Sequence, residues 1–150
     1  MTTAVETLME RLRVGEGTCY ASAARRAARF LTAAYDRALA PTGLRIGQFS
    51  LLYATALHGP VPVAELAELL VMDRTTLATN LKPLVREGLV VVKRPDRDHR
   101  VREVSLTEAG AGRLTLALPL WELAQTQFAA TYGVHRAEEM RTELQHMLGQ

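Results

Sequence analysis

The chain has 150 residues, enough for one domain with a buried core or for such a domain plus a dimerisation element. Its apolar fraction of 48% and charged fraction of 23% are those of an ordinary globular protein and exclude a largely disordered chain. Net charge is only +2, the single Cys19 excludes an internal disulfide framework, and no apolar run approaches the ~20 residues that span a bilayer. Glu6, Glu10 and Arg11 interrupt the apolar stretch a signal peptide requires, so the expected location is the cytoplasm, with no membrane partner. Only three Phe, one Trp and four Tyr occur, which favours helices packed on helices over a β-sandwich.

Val5, Leu8, Met9 and Leu12 recur at helical spacing before Gly15-Glu16-Gly17 breaks the pattern. A long helix is predicted over 18–39, with Ala23, Ala27, Leu31, Ala34 and Ala38 as its apolar stripe. Pro41-Thr42-Gly43 ends it. Further helices are predicted over 47–57 and 64–70, the latter burying Leu66, Leu69 and Leu70, with Pro62-Val63 as a short strand between them. After Asp73, which can cap a helix through the Thr76 amide, Leu77, Leu81, Leu84 and Val85 fall on one face. Pro83 removes a hydrogen bond to Thr79 and should bend the last turn. Two strands, 89–93 and 102–106, flank a Pro/Asp/Arg turn as a hairpin. Thr107 caps a helix over 108–132, kinked at Pro119, and a last helix covers 136–148.

The positive charge is concentrated. Between Arg74 and Arg102 stand eight Lys/Arg and three acids, a local balance of +5 that leaves the rest of the chain at −3. A basic stripe along a helix and an adjoining loop is the electrostatic footprint of phosphate contact. Residues 47–106 thus read as a helix-turn-helix with a β-hairpin appended, mainly α, while 1–46 and 107–150 form a flanking helical region. The flanking apolar stripes outsize so small a central module, and their natural solution is to pack on each other and on a second copy of the chain.

In a helix-turn-helix the N-terminal half of the second helix reaches base edges in the major groove. Arg74, Thr75, Thr76, Thr79, Asn80 and Lys82 suit that surface: Arg can bond guanine bidentately, Asn can read adenine, and Thr can serve a phosphate or a thymine methyl. The alternative is a merely solvated helix face. Arg97, His99 and Arg100 at the hairpin tip suit the minor groove or its flanking phosphates, while Asp98 braces the loop by pairing with Arg100.

Several segments carry a family resemblance together: Leu39-Ala40-Pro41-Thr42-Gly43-Leu44-Arg45-Ile46-Gly47-Gln48-Phe49, Leu66-Ala67-Glu68-Leu69-Leu70, Arg74-Thr75-Thr76-Leu77, Gly88-Leu89-Val90, Asp98-His99-Arg100, and Val104-Ser105-Leu106-Thr107-Glu108-Ala109-Gly110. In this order and spacing the chain resembles the MarR family of winged helix-turn-helix transcriptional regulators. The resemblance implies a homodimer with helices 18–40 and 108–148 interleaved, a recognition helix at about 74–87 and a wing at about 94–102. It also implies a pseudo-palindromic double-stranded DNA operator and, usually, repression. Family members often bind small phenolic or aromatic-acid ligands between the dimerisation and DNA-binding parts. Such an effector site is expected at the junction of the long helices with the central module, bordered by Tyr20, Arg26, Phe49, Tyr53 and Trp121, with Arg26 pairing an anion. Core packing is the plainer reading of Tyr20, Trp121 and Phe128.

Cys19 offers a second switch. In the first turn of a helix the dipole favours its thiolate, with Arg25 and Arg26 one to two turns on. The resemblance extends to the peroxide-sensing OhrR-like branch, whose reactive Cys is held by two tyrosines; Tyr35 matches the first, but the second position falls near Ile46, which has no phenol. The alternative is a small hydrophobe at the dimer interface. No enzyme is expected. His58, His99, His135 and His146 lack metal-ligand spacing, Glu138-Glu139 is an adjacent pair on a solvated helix, and neither a phosphate loop nor a nucleophile elbow occurs, so no catalytic, metal or cofactor site is predicted. From another functional class, a winged-helix module that binds protein stays in view, with the +5 segment against it.

Overall fold

A computed structural model describes residues 3–149. The helices are α1 (Ala4–Val14), α2 (Tyr20–Leu39), α3 (Ile46–His58), α4 (Val63–Leu69), α5 (Arg74–Arg86), α6 (Glu108–Tyr132) and α7 (Val134–Met147). The strands are β1 (Val61–Pro62), β2 (Val90–Lys93) and β3 (Glu103–Leu106), and a 3-10 turn, Ala40–Thr42, follows α2. The chain divides into two compact units, parted between Ala34 and Tyr35.

In the first unit α1 closes on a capping box. The Glu6 amide donates to Thr3 Oγ1 (3.2 Å) and the Thr3 amide returns to Glu6 Oε2 (2.7 Å). Its apolar stripe, Val5, Leu8, Met9 and Leu12, is exposed. α2 begins at Tyr20, two residues later than predicted. Cys19 therefore lies just before the helix rather than in its first turn, and its sulfur accepts the Ser22 amide at 3.5 Å.

The second unit holds the core. Leu39, Leu44, Phe49, Leu51, Leu52, Leu66, Leu77, Leu84, Leu89 and Val104 are buried together. The three-stranded sheet has the order β1-β3-β2, both pairings antiparallel, so β3 is central; Val61 and Val92 each face Val104, while Pro62 and Lys93 each face Glu103. The predicted short strand is present one residue earlier than expected, because Val63 already opens α4. Two apolar assignments are corrected. Leu69 is exposed and Ala67 is buried in its place on α4, and Val85 is exposed beyond the Leu77/Leu81/Leu84 stripe of α5. Helix α5 continues through Pro83, whose carbonyl accepts the Glu87 amide (2.9 Å), and α6 runs as one helix through Pro119. The last helix starts at Val134, two residues before its predicted start. The fold is a winged helix-turn-helix, mainly α with a small sheet.

Helix α6 is seated on the hairpin by two neighbouring residues. Thr107 accepts the Gly110 amide (3.0 Å), and its hydroxyl donates to the Gly88 carbonyl (2.6 Å), joining the cap of α6 to the start of β2. At Gly110 the helix backbone approaches so closely that a Cβ would stand 2.0 Å from the Leu89 carbonyl oxygen. Only glycine fits there.

Candidate nucleic-acid interface

The segment that leads into α5 is built by local chemistry. The connection from α4 to α5 turns at Val71, which holds φ +51, and the Met72 amide donates back to the Ala67 carbonyl (2.8 Å). Asp73 then caps α5, its carboxylate accepting both the Thr76 amide (2.9 Å) and the Thr76 hydroxyl (2.6 Å). These bonds, the hydroxyl's foremost, hold the Asp73 carboxyl below its ordinary value. Leu77, Leu81 and Leu84 face the core, which leaves Thr75, Thr79, Lys82 and Arg86 as an exposed row at helical spacing on another face, with Arg74 and Thr76 also exposed. Asn80 is half-buried, its amide leaning toward Met72 Sδ (3.9 Å).

The other end of α5 is tied to α6. Arg113 donates to the Thr42 carbonyl (3.0 Å) and stands 3.6 Å from Glu87, the residue that closes α5. One guanidinium thus links the turn after α2, the long helix α6 and the end of α5. Asp36 similarly accepts the Ile46 amide (2.7 Å) and starts α3 from ten residues away.

The wing spans residues 94–102 between β2 and β3. Asp98 accepts from the Arg100 amide (3.0 Å) and from Arg100 Nε (3.1 Å), and the Arg100 side chain first, then its backbone, keeps the Asp98 carboxyl low. The expected brace is therefore present. Arg97 donates to Glu103, whose side chain is 9% exposed on the central strand. Lys93, Arg94, His99 and Arg102 are exposed and have no ion-pair partner among the described residues. The predicted contact residues of the helix and the wing thus belong to one unit and are exposed, apart from the half-buried Asn80.

Of the five residues expected around an effector, three meet. Phe49, Tyr53 and Trp121 form a triangle with ring centroids 5.5 to 6.0 Å apart; Phe49 is buried, Trp121 half-buried and Tyr53 38% exposed. Tyr20 and Arg26 lie in the other unit, where both are exposed. Nearby on α2, Tyr35 donates to Gln125 of α6, and burial pushes its phenol up. Phe128 stacks on Tyr132 (5.4 Å), over whose ring Arg136 sits at 4.7 Å. Sequence reasoning missed Glu103, Arg113 and Asp36, whose partners lie across a loop or far along the chain. Among the described residues no group of His, Cys, Asp and Glu could hold a metal ion, and no helix is long and apolar enough to cross a membrane.

Comparison with known proteins gives one answer. The sequence model of the MarR family matches residues 42–101. By structure the chain is similar to the transcriptional regulator MosR of M. tuberculosis in complex with DNA, at 38% identity and a TM-score of 0.76, covering 86% of this chain and 95% of that one. It shares its fold with CouR of Rhodococcus jostii bound to p-coumaroyl-CoA (24% identity, TM-score 0.71, covering 83% and 87%). The same holds for the MepR–DNA complex of S. aureus (18% identity, TM-score 0.76, covering 87% and 97%). No curated protein matches by sequence.

Proposed function

Since the chain belongs to the MarR family of DNA-binding transcriptional regulators, we propose that it is a cytoplasmic homodimeric repressor of a pseudo-palindromic operator, released by a small aromatic ligand. Residues 47–106 are the DNA-binding module, and 1–46 with 107–150 are the dimerisation region. The observation that carries the reading is the exposed polar row of α5, opened by the Asp73 cap and adjoining a basic wing in the same unit. In this reading Arg74, Thr75, Thr76, Thr79, Asn80 and Lys82 enter the major groove, and the wing that carries Arg97, His99 and Arg100 lies along the flanking backbone. Thr76, whose hydroxyl is already given to Asp73, offers its methyl rather than a donor. Two-fold protein symmetry requires two-fold DNA symmetry, with half-sites about 10 bp apart.

The exposed apolar row of α1, Val5, Leu8, Met9 and Leu12, supports dimerisation, because a stripe of that kind is normally covered. The Phe49/Tyr53/Trp121 triangle supports an aromatic effector through its partly exposed members, Tyr53 and Trp121, while Phe49 is buried against both. Cys19 supports a second reading, oxidant control, through its exposed sulfur at the start of α2. Binding to duplexes selected from a random-sequence pool, followed at graded salt, tests the function. Affinity should fall steeply with salt and the selected sites should be inverted repeats; a salt-independent affinity or a light-scattering mass of a monomer at micromolar concentration refutes it. Aromatic carboxylates should quench Trp121 and release the duplex. Release by organic peroxide that vanishes in Cys19→Ser would favour the thiol instead.

A further inference from the structure

The wing's loop is almost self-contained. Its hydrogen bonds are short-range, from the Asp98 amide to the Pro95 carbonyl (3.1 Å), from the Val101 amide to the Asp98 carbonyl (3.2 Å), and between Arg100 and Asp98, until its last residue, Arg102, whose carbonyl accepts the Val63 amide (2.9 Å). Among the described residues a single side chain links this loop to the sheet, Arg97, which donates to Glu103. The acceptor is unusual for its place. Glu103 sits on the central strand, paired on one side with Pro62 and on the other with Lys93, and its carboxylate is buried. A buried carboxylate is costly unless a cation satisfies it, so Glu103 holds the tip of Arg97 against the strand although 73% of the arginine side chain stays exposed. The strand beneath cannot shift without breaking both of its pairings.

We propose that Glu103 is a positioning residue for DNA binding: its buried carboxylate retains Arg97 in an ion pair, so that Arg97 sets the attitude of the wing and leaves phosphate contact to the unpaired Arg94 and Arg102. This rests on the reading of the wing as a DNA-contacting element. Electrostatics separates the two roles of an arginine. A residue on a phosphate releases counterions, and its loss lowers the salt slope of log K by about 0.9 per contact. A residue that only orients the wing weakens binding at constant slope.

The experiment uses the full chain and a duplex selected by the wild type, with affinity measured by fluorescence anisotropy between low and moderate salt. Arg97→Ala and Glu103→Gln should each weaken binding by up to about tenfold with an unchanged slope, and the double variant should be no weaker than the worse single one, since both remove one pair. Arg97→Lys, which keeps the cation, should recover most of the affinity. Arg94→Ala and Arg102→Ala should each flatten the slope. The proposal is overturned if Arg97→Ala flattens the slope, or if Glu103→Gln tightens binding by freeing Arg97. If none of the five single variants alters affinity or slope, the wing does not meet DNA and the underlying reading fails instead. Arg97 is exposed at a loop tip, so its two variants decide the matter even where Glu103→Gln impairs folding.

Discussion

Alanine substitutions at Gly110 and Gly112 should move stability in opposite directions, although both lie near the start of α6. A methyl at position 110 would meet the Leu89 carbonyl oxygen at 2.0 Å and Leu106 Cδ1 at 2.8 Å. The oxygen is not free to withdraw, because it accepts the Thr107 amide (3.2 Å) and shares the Thr107 hydroxyl proton (3.0 Å) with the Gly88 carbonyl. Relief requires the first turn of α6 to lift off β2. Overpacking of that kind costs about 1–3 kcal/mol, and disturbing the Thr107 cap adds about 1 kcal/mol. The helical preference of alanine returns about 1 kcal/mol. The net loss is about 1–3 kcal/mol, or about 2–12 °C in melting temperature for a chain of this size. At position 112 nothing lies within 4 Å of the added methyl. Only the helical preference acts there, a gain of about 1 kcal/mol and about 2–4 °C. Thermal and urea unfolding at one fixed protein concentration measure both. Gly110→Ala as stable as the wild type would refute the close-approach argument, and so would equal losses at the two positions.

Other expectations follow from single groups. Thr55 is 1% exposed and its hydroxyl lacks a partner among the described residues, so Thr55→Val should leave the urea midpoint unchanged or raise it by up to about 1 kcal/mol of stability; a clear loss would show that the hydroxyl is satisfied. Val71 holds a left-handed backbone worth about 1–2 kcal/mol of strain, against about 0.5–1 kcal/mol for the freedom of glycine, so Val71→Gly should be neutral or mildly stabilising by the same measurement. The carboxyls of Asp73 and Asp98 both titrate below their ordinary value, so what they contribute is present above the unfolded-state value and lost as pH falls through the folded one. Neither group should make duplex affinity vary with pH between about 6 and 8, where both stay ionised, and Asp98→Asn should differ from the wild type there and converge with it only once pH falls below the ordinary aspartate range. Asn80→Ala should change the preference at one operator position by about 1–3 kcal/mol, whereas Arg100→Ala should weaken binding to most duplexes alike; selection from a random pool distinguishes them.

Much of this architecture is legible in the sequence because its determinants are local. Asp73 and Thr76 lie three residues apart, Asp98 and Arg100 two, and Thr107 and Gly110 three, so caps and turn braces can be read from spacing alone. Errors gather where a pattern is one residue wide. Leu69 and Val85 sit at the margin of their apolar stripes, and tertiary packing rather than periodicity decides which margin is covered. The start of α2 is displaced because Thr18, the better capping residue by type, gives its hydroxyl to the Gly15 carbonyl (2.9 Å), and the Ser22 amide turns to the Cys19 sulfur instead. Arg113 reaches Thr42 across 71 residues, and Glu103 looks in sequence like one more strand charge until the sheet buries it. Of the effector residues, the three on α3 and α6 are united by helix packing, which the apolar pattern implies, while nothing in the pattern places Tyr20 or Arg26 beside them.

The Arg113 link has a mechanical consequence for reading DNA. It meets α5 at Glu87, 3.6 Å away and at the end farthest from the residues proposed to face bases, so a motion of α6 passed through this pair would reach α5 at that end. Thirteen residues of helix are roughly 20 Å long, so a tilt of about 5° about Glu87 swings the first turn by about 1.7 Å. That displacement exceeds the tolerance of a hydrogen bond to a base edge, while a residue one turn from the pivot would move by only about 0.5 Å. A rotation of α6 transmitted in this way would be amplified where Arg74 and Thr75 sit and muted where Arg86 sits. Sequence discrimination would be lost well before general attraction to the phosphate backbone.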